Sequence, residues 1–148
     1  MTEERRYEVS AHCRYNMSFH VVWIVKYRKV LLEDERVKKK LIEEIYAIGK
    51  SYEILVEELG TDGDHLHLFV KSYPNILPAK VVEIFKSISA RKMLEQFPNL
   101  RKETLGAGLW GVGYYLATVG HGSFESAVKA YVRNQGKGEV NYTQLKLV

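Results

Sequence analysis

Residues 64–70 read Asp-His-Leu-His-Leu-Phe-Val, and this alternation constrains the chain more than any other segment. Successive side chains on a β-strand point to opposite faces. Leu66, Leu68 and Val70 therefore share one face, and His65 and His67 share the other. The leucine face requires an apolar layer against it, while the opposite face holds two imidazoles one pleat apart. The preceding Gly60-Thr61-Asp62-Gly63 is a turn signal, because Gly and Asp tolerate the positive φ of a tight reversal. The pattern predicts a hairpin, with one strand over 53–59 and its return over 64–71.

The other elements follow from the period of the apolar residues. Phe19 to Lys26 is almost continuously apolar and β-branched, which predicts a central strand covered on both faces. Val37, Leu41, Ile45 and Ile48 recur at helical spacing and predict a helix over 34–50. Pro78 opens a second helix to about Phe97, with Val81, Phe85 and Ile88 on its apolar face and Pro98 at its exit. Residues 109–119 predict a fourth strand with a Gly-rich entry. Gly120-His121-Gly122 is a joint before a last helix over 123–135, with Ser123 as its N-cap and Gly136 as its stop. Residues 1–17 read as a polar arm, and the tail beyond Gly138 as a possible edge strand. The order is β-α-β-β-α-β-α. Its first six elements match the α+β split-βαβ arrangement, ferredoxin-like or RRM-like: an antiparallel sheet with two helices on one face. No repeat or long linker divides the 148 residues, so one domain is expected.

A net charge of +4 does not by itself identify a nucleic-acid partner. The distribution is more informative. Lys26, Arg28 and Lys29 flank Tyr27, Lys38 to Lys40 form a run, and Lys86, Arg91 and Lys92 lie on the second predicted helix. Such runs are either solvated faces or contacts to backbone phosphates. The single cysteine, Cys13, excludes an intrachain disulfide. The charged first residues lead into no apolar signal core, and the longest apolar run, 21–25, is too short to span a bilayer. A cytoplasmic protein is expected.

Two imidazoles on one strand face can ligate one metal ion, or can be polar residues on a solvated sheet. On the last helix, Phe124, Ala127, Val128, Tyr131 and Val132 form an apolar stripe, with Gln135 one turn beyond Tyr131 on the same side. A tyrosine on such a stripe commonly fills a core. A phenol, two imidazoles and an amide together are also a set that phosphoryl transfer can use, with the phenol as nucleophile and a divalent cation neutralising charge. No Ser, Cys or Lys nucleophile motif and no phosphate-cradling glycine loop competes. A histidine-triad hydrolase would need a third histidine where Phe69 stands. A split-βαβ sheet can also bind RNA or DNA without catalysis, but the aromatic RNA-binding signature is missing.

Four segments in this order resemble the HUH-type single-tyrosine transposases of small prokaryotic insertion sequences. They are FHVVWIVKYRKVL at 19–31, GDHLHLFV at 63–70, LWGVGYYLATVG at 109–120 and AYVRNQ at 130–135. The resemblance spans about Phe19 to Gln135. It implies that His65 and His67 are the metal ligands, that Tyr131 is the nucleophile joined to a DNA 5′ phosphate, and that Gln135 completes the metal site. It also implies a homodimer acting on single-stranded DNA with hairpins at the element ends, and a tyrosine helix able to serve the partner's His pair. Oxygen ligands from DNA and water suit Mg2+ or Mn2+. A domesticated relative that processes only its own hairpins fits the same motifs. His121 departs from the family pattern and is assigned no role.

Overall fold

A computed structural model of the chain describes residues 8–120 and 123–136. Its elements are β1 (Glu8–Ser10), β2 (Cys13–Tyr15), β3 (Ser18–Ile24), α1 (Glu35–Ser51), β4 (Leu55–Asp62), β5 (His65–Lys71), α2 (Pro78–Gln96), α3 (Leu100–Glu103), β6 (Tyr115–Thr118) and α4 (Ser123–Arg133), with two 3-10 turns between β3 and α1. Part of the predicted arm, residues 8–15, is an exposed two-stranded hairpin rather than a featureless segment. The joint residues His121 and Gly122 and the tail from 137 onwards lie outside the described residues.

The main sheet has the order β4-β5-β3-β6, with every neighbouring pair antiparallel. This is the split-βαβ arrangement that the alternating segments predict. One face carries Phe19, Val21, Trp23, Leu66, Leu68 and Val70, which pack with α1 and α2 into the main core. Asp34 caps α1 by accepting from the Arg36 amide at 2.9 Å. On the lower side of the sheet, Phe69 and Val119 meet Val128 and Val132 of α4 in a second, smaller cluster. The molecule therefore has three layers: α1 and α2, the sheet, and α4. No helix among the described residues is long and apolar enough to cross a membrane.

Two boundaries and one burial differ from the sequence expectation. β4 runs through Gly60 and Thr61 to Asp62, so the reversal is tightened onto Gly63, whose φ is +48°. The predicted strand over 109–119 survives only as Tyr115–Thr118. Trp110 makes an isolated bridge to Val25, after which Gly111 closes on Ile24 and Gly113 turns at φ +85°. Ala127, assigned to the apolar stripe of α4, is exposed, while Val128 and Val132 are buried against the sheet.

Leu68 is fully buried where β5 meets both helices. Leu68→Ala should lower unfolding free energy by about 2–5 kcal/mol. Urea denaturation of both proteins checks this, and a loss below about 1 kcal/mol would contradict the two-helix core.

Candidate active site

The face beneath α4 is built by register. In the β3–β5 ladder Val22 stands opposite His67, Ile24 opposite His65 and His20 opposite Phe69. His20, His65 and His67 therefore all point to the α4 side. His20 and His67 are diagonal neighbours, a separation that ring side chains bridge. The Nε2 of His20 lies 3.0 Å from Nδ1 of His67, with the rings stacked at 22°. The ring of His65 stands edge-on to that of His67, 5.0 Å between centroids. Nδ1 of His65 is 2.6 Å from Oδ1 of Asp64, whose other oxygen accepts from Nε of Arg28 at 3.2 Å.

Tyr131 reaches this cluster from α4. Its ring is 5.4 Å from that of His67 and 6.0 Å from that of His20, edge-on to both. Gln135 lies one turn on and is 3% exposed. Its Nε2 donates to the Tyr131 carbonyl at 3.1 Å, and its Oε1 is buried without a hydrogen-bond partner. The structure thus brings His65, His67, Tyr131 and Gln135 together within one chain. His67 is only 5% exposed, because α4 closes over it.

Lys86, Arg91 and Lys92 are not part of this cluster. They lie on α2, in the opposite layer. The Lys86 ammonium donates to the carbonyls of Gly111 and Gly113 at 2.8 and 2.9 Å, which ties α2 to the loop before β6. Burial lowers the Lys86 pKa, helped by the charge of Lys26. Arg91 and Lys92 are exposed.

Charge follows burial at the cluster. Burial depresses the His20 pKa to about 4. Burial, and then the neighbouring His20 and His65, depress that of His67 to about 3. Burial works against ionisation of Asp64, but hydrogen bonds from His65 and Arg28 and their charge hold its carboxyl below the ordinary range. His67 is therefore neutral near pH 7, the form of an imidazole that can ligate a metal. The donors fit a divalent cation: Nδ1 of His67 is engaged by His20 and Nδ1 of His65 by Asp64, and Gln135 offers an unpartnered buried oxygen. Among the described residues no cluster of three His, Cys, Asp or Glu side chains could hold a metal ion. Two imidazoles and one amide oxygen would leave the remaining ligand positions to water or phosphate.

Two features of the site were missed by the sequence reading. His20 is the one ionisable residue inside an otherwise apolar strand, and that anomaly was the available signal. Gly60 had no signal beyond its place in a turn motif. A Cβ there would lie 1.8 Å from the Val132 carbonyl oxygen, so only glycine lets α4 rest on β4. A bulge between Val56 and Glu58 adds to the seat. Glu57 pairs with Lys129, and Glu58 accepts from Nε of Arg133 at 3.1 Å. Lys71 bridges Glu57 and Glu125 at 3.3 and 3.6 Å.

A split-βαβ domain with a histidine pair on one sheet face and a tyrosine helix over it defines the class of this protein. A family profile described as Transposase IS200 like matches residues 13–135, and the chain belongs to that family, whose members act in DNA transposition. It is 28% identical over 123 residues to the ISDra2 transposase TnpA of Deinococcus radiodurans, covering 82% of this chain and 85% of the relative. It is also 28% identical over 131 residues to the transposase for insertion sequence element IS200 of Salmonella typhimurium, covering 84% of this chain and 80% of the relative. A crystallised transposase-like protein of Deinococcus radiodurans R1 superposes with a TM-score of 0.71 at 27% identity, over 88% of this chain and 99% of that one. A REP-associated tyrosine transposase bound to a REP hairpin shares the fold, with a TM-score of 0.55 at 13% identity over 89% of this chain and 70% of that one.

Two outcomes follow. Gly60→Val should displace α4 while leaving the main core intact: amides of 123–133 lose hydrogen-exchange protection and those of β3 and β5 keep theirs. Equal protection of α4 in both proteins would refute this seat. The second concerns pH. His20 and His67 have folded pKa values below the unfolded value of about 6.5, so the unfolded chain binds more protons between those limits. Their neutral burial is compatible with full stability above that value, and stability falls as pH drops from there towards about 4 for His20 and about 3 for His67. In chelator-containing buffer, urea unfolding should show a loss on the order of 4 kcal/mol between pH 7 and pH 5, about half from each imidazole. A flat profile over that window would contradict neutral burial of the pair.

Proposed function

We propose that the protein cleaves and rejoins single-stranded DNA through a covalent bond between Tyr131 and a 5′ phosphate. The observation that carries this reading is the convergence of Tyr131, His65, His67 and the unpartnered Gln135 oxygen beneath one helix. Membership of the family sets the substrate class as DNA.

In the proposed reaction the Tyr131 hydroxyl attacks the scissile phosphorus. A Tyr131–phosphate bond forms, the bond from phosphorus to the 3′ oxygen breaks, and that oxygen takes up a proton as the phenol loses one. Rejoining is the reverse, with a 3′ hydroxyl of another strand attacking the phosphotyrosine. A free phenol has a pKa of about 10, so attack at neutral pH needs its proton removed or positive charge nearby. His65, His67 and Gln135 would hold Mg2+ or Mn2+, which when bound polarises a non-bridging phosphate oxygen. Asp64 holds the His65 ring from behind, and the Gln135 amide is held by the Tyr131 carbonyl, so nucleophile and ligand turn together on α4. Burial under α4 limits water at the phosphotyrosine, which favours strand rejoining over hydrolysis.

Hairpin recognition at the ends of an insertion sequence belongs to the same reading. The REP-associated relative, solved on a REP hairpin, supports it. A homodimer is part of the same proposal. Val112 is 90% exposed, and Tyr114 and Tyr115 are half exposed, beside β6, the last strand of the sheet among the described residues. In one chain α4 rests on its own sheet. Exchange between two chains would reuse the same Gly60 seat.

Incubation with single-stranded DNA and Mg2+ should yield a protein–DNA adduct that survives denaturing electrophoresis. Tyr131→Phe should abolish the adduct while leaving DNA binding within about threefold, since only one oxygen is lost. His65→Ala and His67→Ala should each reduce adduct formation at least about 100-fold. An adduct formed by the Phe variant would overturn the nucleophile, and activity surviving exhaustive chelation would overturn the metal.

A further inference from the structure

We propose that His20 is a positioning residue for the imidazole pair: its Nε2 accepts the Nδ1 proton of His67 and so keeps His67 Nε2 as a lone pair able to bind a divalent cation. This rests on the reading of His65 and His67 as metal ligands.

The argument begins with burial. His20 is 1% exposed in the middle of β3, between Phe19 and Val21. A polar ring in that place costs folding free energy unless it is hydrogen-bonded. Its Nε2 lies 3.0 Å from Nδ1 of His67, and its own Nδ1 is buried without a hydrogen-bond partner. A single N-to-N hydrogen bond holds one proton, which belongs to one ring or the other. If His20 Nε2 carried it, neutral His67 would have its own proton on Nε2, and no lone pair would remain there for a cation. If His67 Nδ1 carries it, Nε2 is open.

His65 shows the same logic with a different acceptor. Its Nδ1 is 2.6 Å from Oδ1 of Asp64, and a carboxylate can only accept, so His65 must donate from Nδ1 and present Nε2. Asp64 is partly exposed and further compensated by Arg28. At the depth of His20 a carboxylate would be an almost fully buried charge. A neutral imidazole supplies the acceptor without that penalty. The two rings are thus held from behind, one by a carboxylate at the rim and one by an imidazole in the interior. Partners of this kind fix the tautomer and orientation of metal-binding histidines.

Mn2+ binding, followed by the electron paramagnetic resonance of the free ion, tests the assignment without reference to catalysis. His20→Met keeps the bulk and removes the acceptor, and should weaken Mn2+ binding about 10–100-fold. His20→Gln can place Oε1 near the position of the lost Nε2, and should retain most of the affinity. Imidazole 15N spectra of the Mg2+-loaded wild-type protein should place the His67 proton on Nδ1. Met-variant affinity equal to wild type, or a His67 proton on Nε2 in the loaded protein, would overturn the inference. Should His20→Met fail to fold, the wild-type spectrum and the Gln variant still decide. His65→Ala separates the two levels. If it abolishes Mn2+ binding and His20→Met does not, only the role of His20 fails. If wild type binds no Mn2+, or His65→Ala binds as well as wild type, the metal reading fails and this inference with it.

Discussion

The antiparallel pairing of β3 with β5 is the constraint on which the rest of the structure depends. It sets Trp23, Leu66, Leu68 and Val70 against the two-helix core, and His20, His65 and His67 against α4. A slip of one residue would exchange the faces of a strand. It would send imidazoles into the core and leucines under the tyrosine helix. Both faces of β5 are closed by the fold, so the register has no cheap alternative. The 3.0 Å contact between His20 and His67 is a product of that register rather than of either strand alone.

The second constraint is the seat of α4. Its apolar contact is small: Val128 and Val132 meet Phe69 and Val119, with Tyr131 at the margin. The rest is backbone approach at Gly60 and ion pairs from Lys129 and Arg133 to Glu57 and Glu58. Exposed ion pairs contribute little each. The helix is therefore positioned by shape and charge pattern more than by hydrophobic burial, unlike α1 and α2. Shape matters because α4 and the turn that follows it carry two groups with separate tasks. Tyr131 must face the imidazoles while Gln135 keeps its oxygen turned inward, and a single hydrogen bond along the helix couples them.

Much of this was readable in residue order. The alternation through His65 and His67 predicted both the strand and its two faces, because period two has one structural solution. The spacing of Val37, Leu41, Ile45 and Ile48 located α1, and Pro78 and Pro98 bracketed α2. The 109–119 strand was overestimated, since three glycines at 108, 111 and 113 admit backbone conformations that hydrophobicity cannot reveal. Grouping Lys86 with Arg91 and Lys92 was a judgement from charge alone. It missed that an ammonium beside a loop can bind carbonyls.

The sequence by itself determined the antiparallel split-βαβ domain and the family it belongs to, and singled out His65, His67, Tyr131 and Gln135 as the candidate site. These depend on local period and motif order, which are properties of neighbours along the chain. Only the tertiary structure decided that His20 stands behind His67, that Arg28 backs the Asp64 carboxylate behind His65, and that Gly60 is the floor beneath α4. Each of these depends on two or three segments distant in sequence. Hydrogen-bond partners and close backbone approaches are set by strand register and helix packing, and neither leaves a periodic trace in the residues themselves.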